Sequence, residues 1–237
     1  MLDFQNQAQA DRIIVALDCG RTKALELADE LCGLARWMKV GMTLFYQEGP
    51  AIVQALHQRG FKVFLDLKFH DIPHQVEGAA QAAHEIGADM ITMHACGGLA
   101  MMQAAQKGIQ QSNATHAMAT LGVTVLTSMD EDTLHSVGVN DTTNDQIIRL
   151  AQLVSRAKLT GVVCSPQEAA IMRSILGPNA YVVTPGVRPK GASLDDQSRV
   201  MTPKEAFEQG ASHLVIGRPI TGAENPKKAF EEIVKGL

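Results

Sequence analysis

Phe64-Leu65-Asp66-Leu67-Lys68-Phe69-His70-Asp71-Ile72-Pro73 is an apolar run that ends in charge. Val63-Phe64-Leu65 reads as a strand. Side chains alternate across a strand, so Asp66 and Lys68 project to one face and Leu67 to the other. Asp71 follows where the chain leaves the strand, and Pro73 suits the first turn of a helix. A strand end with alternating opposite charges is either a surface ion pair, which is energetically minor, or part of a site. The neighbouring sequence decides between the two.

To either side the same alternation of short apolar runs and amphipathic stretches recurs. Ile13-Ile14-Val15-Ala16-Leu17 is a first strand ending at Asp18; Thr22 offers a helix cap, and Leu25, Ala28 and Leu31 share a face. Trp37-Met38-Lys39-Val40 is a second strand, followed by a helix over 51–59 that stops at Gly60. The helix after the central stretch carries Val76, Ala79, Ala80 and Ala83 and ends near Gly87. Strands four to eight are Met90-Ile91-Thr92-Met93, Gly122-Val123-Thr124-Val125-Leu126, Gly161-Val162-Val163-Cys164, Tyr181-Val182-Val183 and His213-Leu214-Val215-Ile216. Ser165-Pro166-Gln167-Glu168 and Thr202-Pro203-Lys204-Glu205 are capping boxes with proline at the first helical position, and Asn225-Pro226 is a similar start. Eight strands, each followed by a helix and too apolar for a sheet with one wet face, predict an α/β fold of the (β/α)8 TIM-barrel type, as a single domain over 1–237. A doubly wound open sheet is the alternative, because periodicity does not count closure.

Composition fits that size and narrows the class. A chain of 237 residues matches barrels of roughly 250 residues that fold as one unit. A net charge of -4 with scattered lysines carries no footprint for nucleic acid or membrane. Residues 1–11 form a polar N-terminal extension without the apolar core of a signal peptide or span. Cys19, Cys32, Cys96 and Cys164 lie far apart, which argues against zinc and against a disulfide framework and points to a reducing, cytoplasmic setting.

In a parallel barrel, chemistry belongs at the C-terminal strand ends. There the sequence places Asp18, Lys39, Asp66, Lys68, His94, Thr127, Ser128, Thr184-Pro185-Gly186 and Gly217-Arg218. Charges facing one mouth are costly unless they pair, so Lys39, Asp66, Lys68 and Asp71 form a candidate alternating network. The loops after strands seven and eight are the usual anion cradle, and here they hold Gly186, Gly217, Arg188 and Arg218. The segment 184–202 has little periodicity and also carries Gln197, which suits a lid over a phosphorylated ligand. His70 and His74 lie four apart, but Pro73 intervenes and no third ligand stands at a recognised spacing, so no metal site is expected. His94 reads as a hydrogen-bonded mouth residue rather than a base.

These residues carry a resemblance. Asp66-Leu67-Lys68-Phe69-His70-Asp71-Ile72-Pro73 resembles the signature of the orotidine 5′-phosphate decarboxylase family. The likeness extends in order through Val15-Ala16-Leu17-Asp18, Lys39-Val40-Gly41, Gly122-Val123-Thr124-Val125-Leu126-Thr127-Ser128-Met129, Thr184-Pro185-Gly186-Val187-Arg188-Pro189 and Ile216-Gly217-Arg218-Pro219-Ile220. DxKxxD alone is shared with related sugar-phosphate enzymes; the full set is specific.

The resemblance implies a carbon–carbon lyase that converts orotidine 5′-monophosphate to UMP, the last step of pyrimidine nucleotide synthesis. It implies no metal and no organic cofactor, and a homodimer with sites at the subunit interface. Lys68 would be the proton donor to C6, Asp66 would sit beside the scissile carboxylate, and Lys39 and Asp71 would complete the network. Asp71 and Ile72 would come from the partner subunit, and Asp18 and Lys39 would also hold ribose hydroxyls. Thr127 or Ser128 would address the base and Pro185 would line the site. Arg188, Arg218, the Gly217 N–H and Gln197 would address the phosphate side. The chain departs from the family at one place: His74-Gln75 follow Pro73 where a residue and then threonine are common, so the ribose contact there would fall to the Gln75 amide. Two rivals share the barrel. A metal-dependent sugar-phosphate decarboxylase or epimerase would need further acids, such as Glu48 or Glu77; a non-catalytic nucleotide-binding protein would have a damaged charge network.

Overall fold

The computed structural model describes Phe4, residues 6–188 and residues 201–237. Its elements run β1 (Ile13–Ala16), α1 (Arg21–Leu31), β2 (Trp37–Gly41), α2 (Met42–Glu48), α3 (Pro50–His57), β3 (Lys62–Phe69), α4 (Pro73–Glu85), β4 (Met90–His94) and α5 (Gly98–Gln111). They continue as β5 (Ala119–Val123), α6 (Glu131–Ser136), α7 (Thr143–Ala157), β6 (Gly161–Val163), α8 (Ala169–Leu176), β7 (Tyr181–Thr184), α9 (Pro203–Glu208), β8 (His213–Ile216), α10 (Arg218–Thr221) and α11 (Pro226–Lys235). The strands pair in sequence order and β1 pairs in parallel with both β2 and β8, so the sheet closes into a barrel. The open-sheet alternative is thereby excluded.

Alternation along each strand divides the core into two layers. Ile14, Trp37, Phe64, Met90, Leu121 and Val183 pack inside the barrel. Ile13, Val15, Met38, Val40, Val63 and Leu65 face the helices. A fully buried side chain of this size contributes about 1.5–3 kcal/mol. The same period puts Lys39 two residues beyond Trp37, and Asp66 two beyond Phe64, at the top of the interior column. The hydrophobic interior therefore stops where the charges begin.

The bottom of the barrel is closed by rings. Phe4, only 5% exposed, lies 4.9 Å from Tyr181 and 5.5 Å from His213 between ring centroids, and Trp37 lies 5.9 Å from His213. The extension over 1–11 is polar in composition, yet its one described aromatic is part of the core.

The helix starts marked in the sequence are present for local reasons. Pro73 opens α4. Ser165 and Thr202 both form capping boxes, and Asn225 Oδ1 accepts from the Lys228 N–H at 2.8 Å. Three expectations need correction. The cap of α1 is Gly20, not Thr22, which lies inside the first turn. β5 begins at Ala119 and ends at Val123, because the Ala119 N–H finds the Asp89 carbonyl at 2.8 Å; Val125 and Leu126 are apolar because they line the mouth rather than the sheet. β3 reaches Phe69, but not as a regular strand: its register against β4 shifts between Leu65 and Phe69, and Lys68 has φ of 52°. Among the described residues no helix is long and apolar enough to cross a membrane.

Candidate active site

The C-terminal mouth opens on a cavity of about 470 Å³ lined by Asp18, Lys39, Asp66 and Lys68 on one side and Pro185, Arg188, Gly217 and Arg218 on the other. Thr127 and Leu126 contribute to the wall between them. Register makes this possible: Lys39 pairs with Phe64 and Gly41 with Asp66, so on adjacent strands the two charges face the same interior one two-residue step apart.

The charges form a chain. Lys39 Nζ donates to Asp18 Oδ1 at 3.0 Å and stands 3.6 Å from Asp66 Oδ2. Asp66 Oδ1 accepts from Lys68 Nζ at 2.9 Å and from the Thr92 hydroxyl at 2.8 Å. Burial alone would raise the Asp66 pKa, but the charges of Lys39 and Lys68, with hydrogen bonds from Lys68 and Thr92, hold it below the usual carboxylate range. Asp66 is thus an ion at neutral pH with a cation on each side. Gly41 keeps the crossing open: a Cβ there would come within 3.3 Å of both Asp18 Oδ1 and Lys39 Nζ. His94 closes β4 with its ring 5.4 Å from His70. Burial, then the neighbouring His70 and Lys68, push its pKa below the ordinary value, against the pull of Asp66.

Across the cavity, Arg188 is 9% exposed. Its Nη1 donates to the Val187 carbonyl at 3.1 Å, and its buried Nε has no hydrogen-bond partner among the described residues. A buried guanidinium with an unanswered donor, facing a cavity, is suited to an anion. Gly186 has φ of 76°, a turn that glycine accepts without strain.

Not every expected residue converges. Ser128 is exposed and lies outside this lining, whereas Thr127 is in it. Asp71, Ile72 and Gln75 are exposed at the start of α4, where Asp71 and Ile72 border a separate recess with His70, Pro73 and Gly97. Within one chain the fourth member of the expected network is therefore apart from Lys39, Asp66 and Lys68. Gln197 lies outside the described residues. Glu48 and Glu77, the acids a metal-dependent rival would draw on, are engaged elsewhere, by Arg21 at 2.9 Å and Lys107 at 2.8 Å. Residues missed from sequence are Thr92 and the apolar wall of Phe64, Val163 and Val215. The wall was legible from the inward alternation of β3, β6 and β8.

Fold and site together define a (β/α)8-barrel enzyme with a preorganised acid–lysine chain at its mouth. The family model described as "Orotidine 5'-phosphate decarboxylase / HUMPS family" matches residues 11–233. An orotidine 5′-phosphate decarboxylase of Nitrosococcus oceani is 47% identical over 226 residues, covering 95% of this chain and 97% of the relative. One of Actinobacillus succinogenes is 48% identical over 227 residues, with 95% and 97% covered. The crystal structure of orotidine 5′-phosphate decarboxylase from Lactobacillus acidophilus superposes with a TM-score of 0.84 at 37% identity, covering 95% of this chain and 98% of that one. The chain belongs to the orotidine 5′-phosphate decarboxylase / HUMPS family.

Proposed function

We propose that this chain decarboxylates orotidine 5′-monophosphate to UMP in pyrimidine nucleotide synthesis, without metal or organic cofactor. The observation that carries the reading is the chain Asp18–Lys39–Asp66–Lys68, with Lys68 Nζ 2.9 Å from a largely buried Asp66 at the cavity wall. The C6–carboxylate bond breaks, CO₂ leaves, and the electron pair stays on C6. An ammonium fixed beside that atom is attracted more strongly as charge localises there, and it then supplies the proton; water returns one to Lys68. Such a group favours the transition state over the substrate. Asp66 beside the substrate carboxylate is repulsive by ~4 kcal/mol at a separation near 4 Å and an effective dielectric near 20, a repulsion that ends as neutral CO₂ departs.

Arg188 and Arg218 would bind the phosphate, with the Gly217 N–H and Gln197, and segment 184–202 would close over it. Thr127 and Pro185 would border the base, with Ser128 beside them, and Asp18 and Lys39 would hold ribose hydroxyls. The chain would work as a homodimer in the cytoplasm, with the partner's Asp71, Ile72 and Gln75 completing each site. In support, a second cavity of about 400 Å³ opens on the other side of Asp18, Lys39, Asp66 and Lys68, beside Met42. The exposed apolar side chains of Met42, Tyr46 and Ile72 are 46%, 75% and 63% accessible. A second copy would cover them and bring an acid to the open side of the network.

The test is the ultraviolet change on mixing the purified protein with orotidine 5′-monophosphate in excess EDTA. Conversion to UMP is expected. No conversion, with magnesium-restored activity on a sugar phosphate, would favour the metal-dependent rival.

A further inference from the structure

The irregularity in β3 has a specific counterpart on β4. Leu65 pairs with Ile91 and Phe69 with Met93, so Asp66, Leu67 and Lys68 together lie opposite Thr92 alone. In that bulge Lys68 adopts φ of 52°, a left-handed conformation that non-glycine residues rarely take. A regular ladder partner for its N–H is gone. The Thr92 hydroxyl, fully buried, replaces it by accepting from the Lys68 N–H at 3.0 Å. The same oxygen donates to Asp66 Oδ1 at 2.8 Å, the atom that also receives Lys68 Nζ at 2.9 Å. Backbone amide, hydroxyl, carboxylate and ammonium thus close a ring. Other buried threonines do nothing of the kind: Thr124 and Thr184 donate to the carbonyls of Val163 and His213, and Thr120 accepts from the Thr160 N–H. Strained backbone persists only where its surroundings over-determine it, and here they act on the two groups nearest the reaction.

We propose that Thr92 is a positioning residue for the decarboxylation: one buried hydroxyl fixes the left-handed backbone of Lys68 and the carboxylate of Asp66 in a single mutual orientation. The inference rests on the reading of Lys68 as proton donor. Valine can make neither hydrogen bond at nearly the volume of threonine, and serine can make both with one methyl group fewer.

The test uses full-length Thr92→Val, Thr92→Ser and Lys68→Ala proteins, with sites counted by UMP titration and kcat expressed per UMP-binding site. Thr92→Val is expected to lower kcat roughly 10- to 100-fold, the factor for one hydrogen bond to a charged group, with UMP affinity changed less than about twofold and the site count intact. Thr92→Ser is expected to recover most of that loss. Thr92→Ala carries the same expectation as valine should the valine form not fold. Loss of UMP sites in proportion to activity, with kcat per site unchanged, would reduce Thr92 to a core threonine and overturn the proposal, as would a wild-type kcat. Normal turnover by Lys68→Ala would instead remove the donor assignment beneath it.

Discussion

A proton donor lowers a barrier only if its charge is in place before the bond breaks. Lys68, the proposed donor, meets that requirement because Asp66 anchors its Nζ at 2.9 Å while the next cation, Lys39, is already taken by Asp18 at 3.0 Å. Lys68→Ala is therefore expected to lower turnover by on the order of 10⁴-fold or more while UMP still binds, as followed by single-turnover absorbance and UMP titration. Near-normal turnover would rule Lys68 out as donor. Arg218 lines the same cavity as Lys68, and if it is the phosphate ligand proposed above, its removal should act through the phosphate. Arg218→Ala should raise KM for orotidine 5′-monophosphate roughly 10- to 100-fold and leave any activity on phosphate-free orotidine unchanged. Equal losses on both substrates would contradict the phosphate role. At this scale the charged residues that the fold brings together at the mouth, Asp18, Lys39, Asp66 and Lys68, were legible because lysines and acids at the ends of apolar runs are conspicuous. Thr92 was not, since a threonine inside Met90-Ile91-Thr92-Met93 looks like any other strand residue until the hydroxyl's partners on β3 are known.

Elements whose boundaries have local causes were readable, and those set by a neighbour were not. Pro73, the Ser165 and Thr202 capping boxes and Asn225 each start a helix through groups within three residues. The start of β5 depends instead on the Asp89 carbonyl, and the bulge of β3 on the register of β4, both remote in sequence. Helix packing shows the same dependence. Gly108 on α5 sits against α4 so closely that a Cβ would come 2.0 Å from the Glu77 carbonyl oxygen. That neighbour is backbone and cannot rotate away. Gly108→Ala should destabilise the protein by roughly 1–3 kcal/mol despite the better helix propensity of alanine, read as a lower denaturation midpoint. A raised midpoint would mean that the two helices can separate without cost.

The whole molecule stacks a charged mouth on an apolar interior and an aromatic base, and each end has a consequence. At the base, His213 is 2% exposed among Phe4, Trp37 and Tyr181. Burial, then Arg12, Arg173 and Lys62, push its pKa down to about 3. Between that value and the unfolded value near 6.5 the unfolded chain binds a proton that the folded one refuses, so stability is full above about pH 6.5 and falls on acidification. The slope from this one group is ~1.4 kcal/mol per pH unit. His213→Phe should flatten the pH dependence of the unfolding free energy from urea titrations between pH 6 and 4 by about that much; an unchanged slope would mean that His213 titrates normally. At the mouth, three members of the expected Lys39–Asp66–Lys68–Asp71 network converge within one chain, while Asp71 stands exposed on a separate recess. If Asp71 serves the partner's site, Lys68→Ala and Asp71→Ala proteins, each inactive alone, should regain activity when mixed. A hybrid dimer then holds one site with both defects and one with neither. Random exchange in equal amounts should restore about a quarter of the wild-type rate, since half the dimers are hybrids with one intact site of two. If Asp71 acts within its own chain, neither site of the hybrid is whole, and mixing restores nothing.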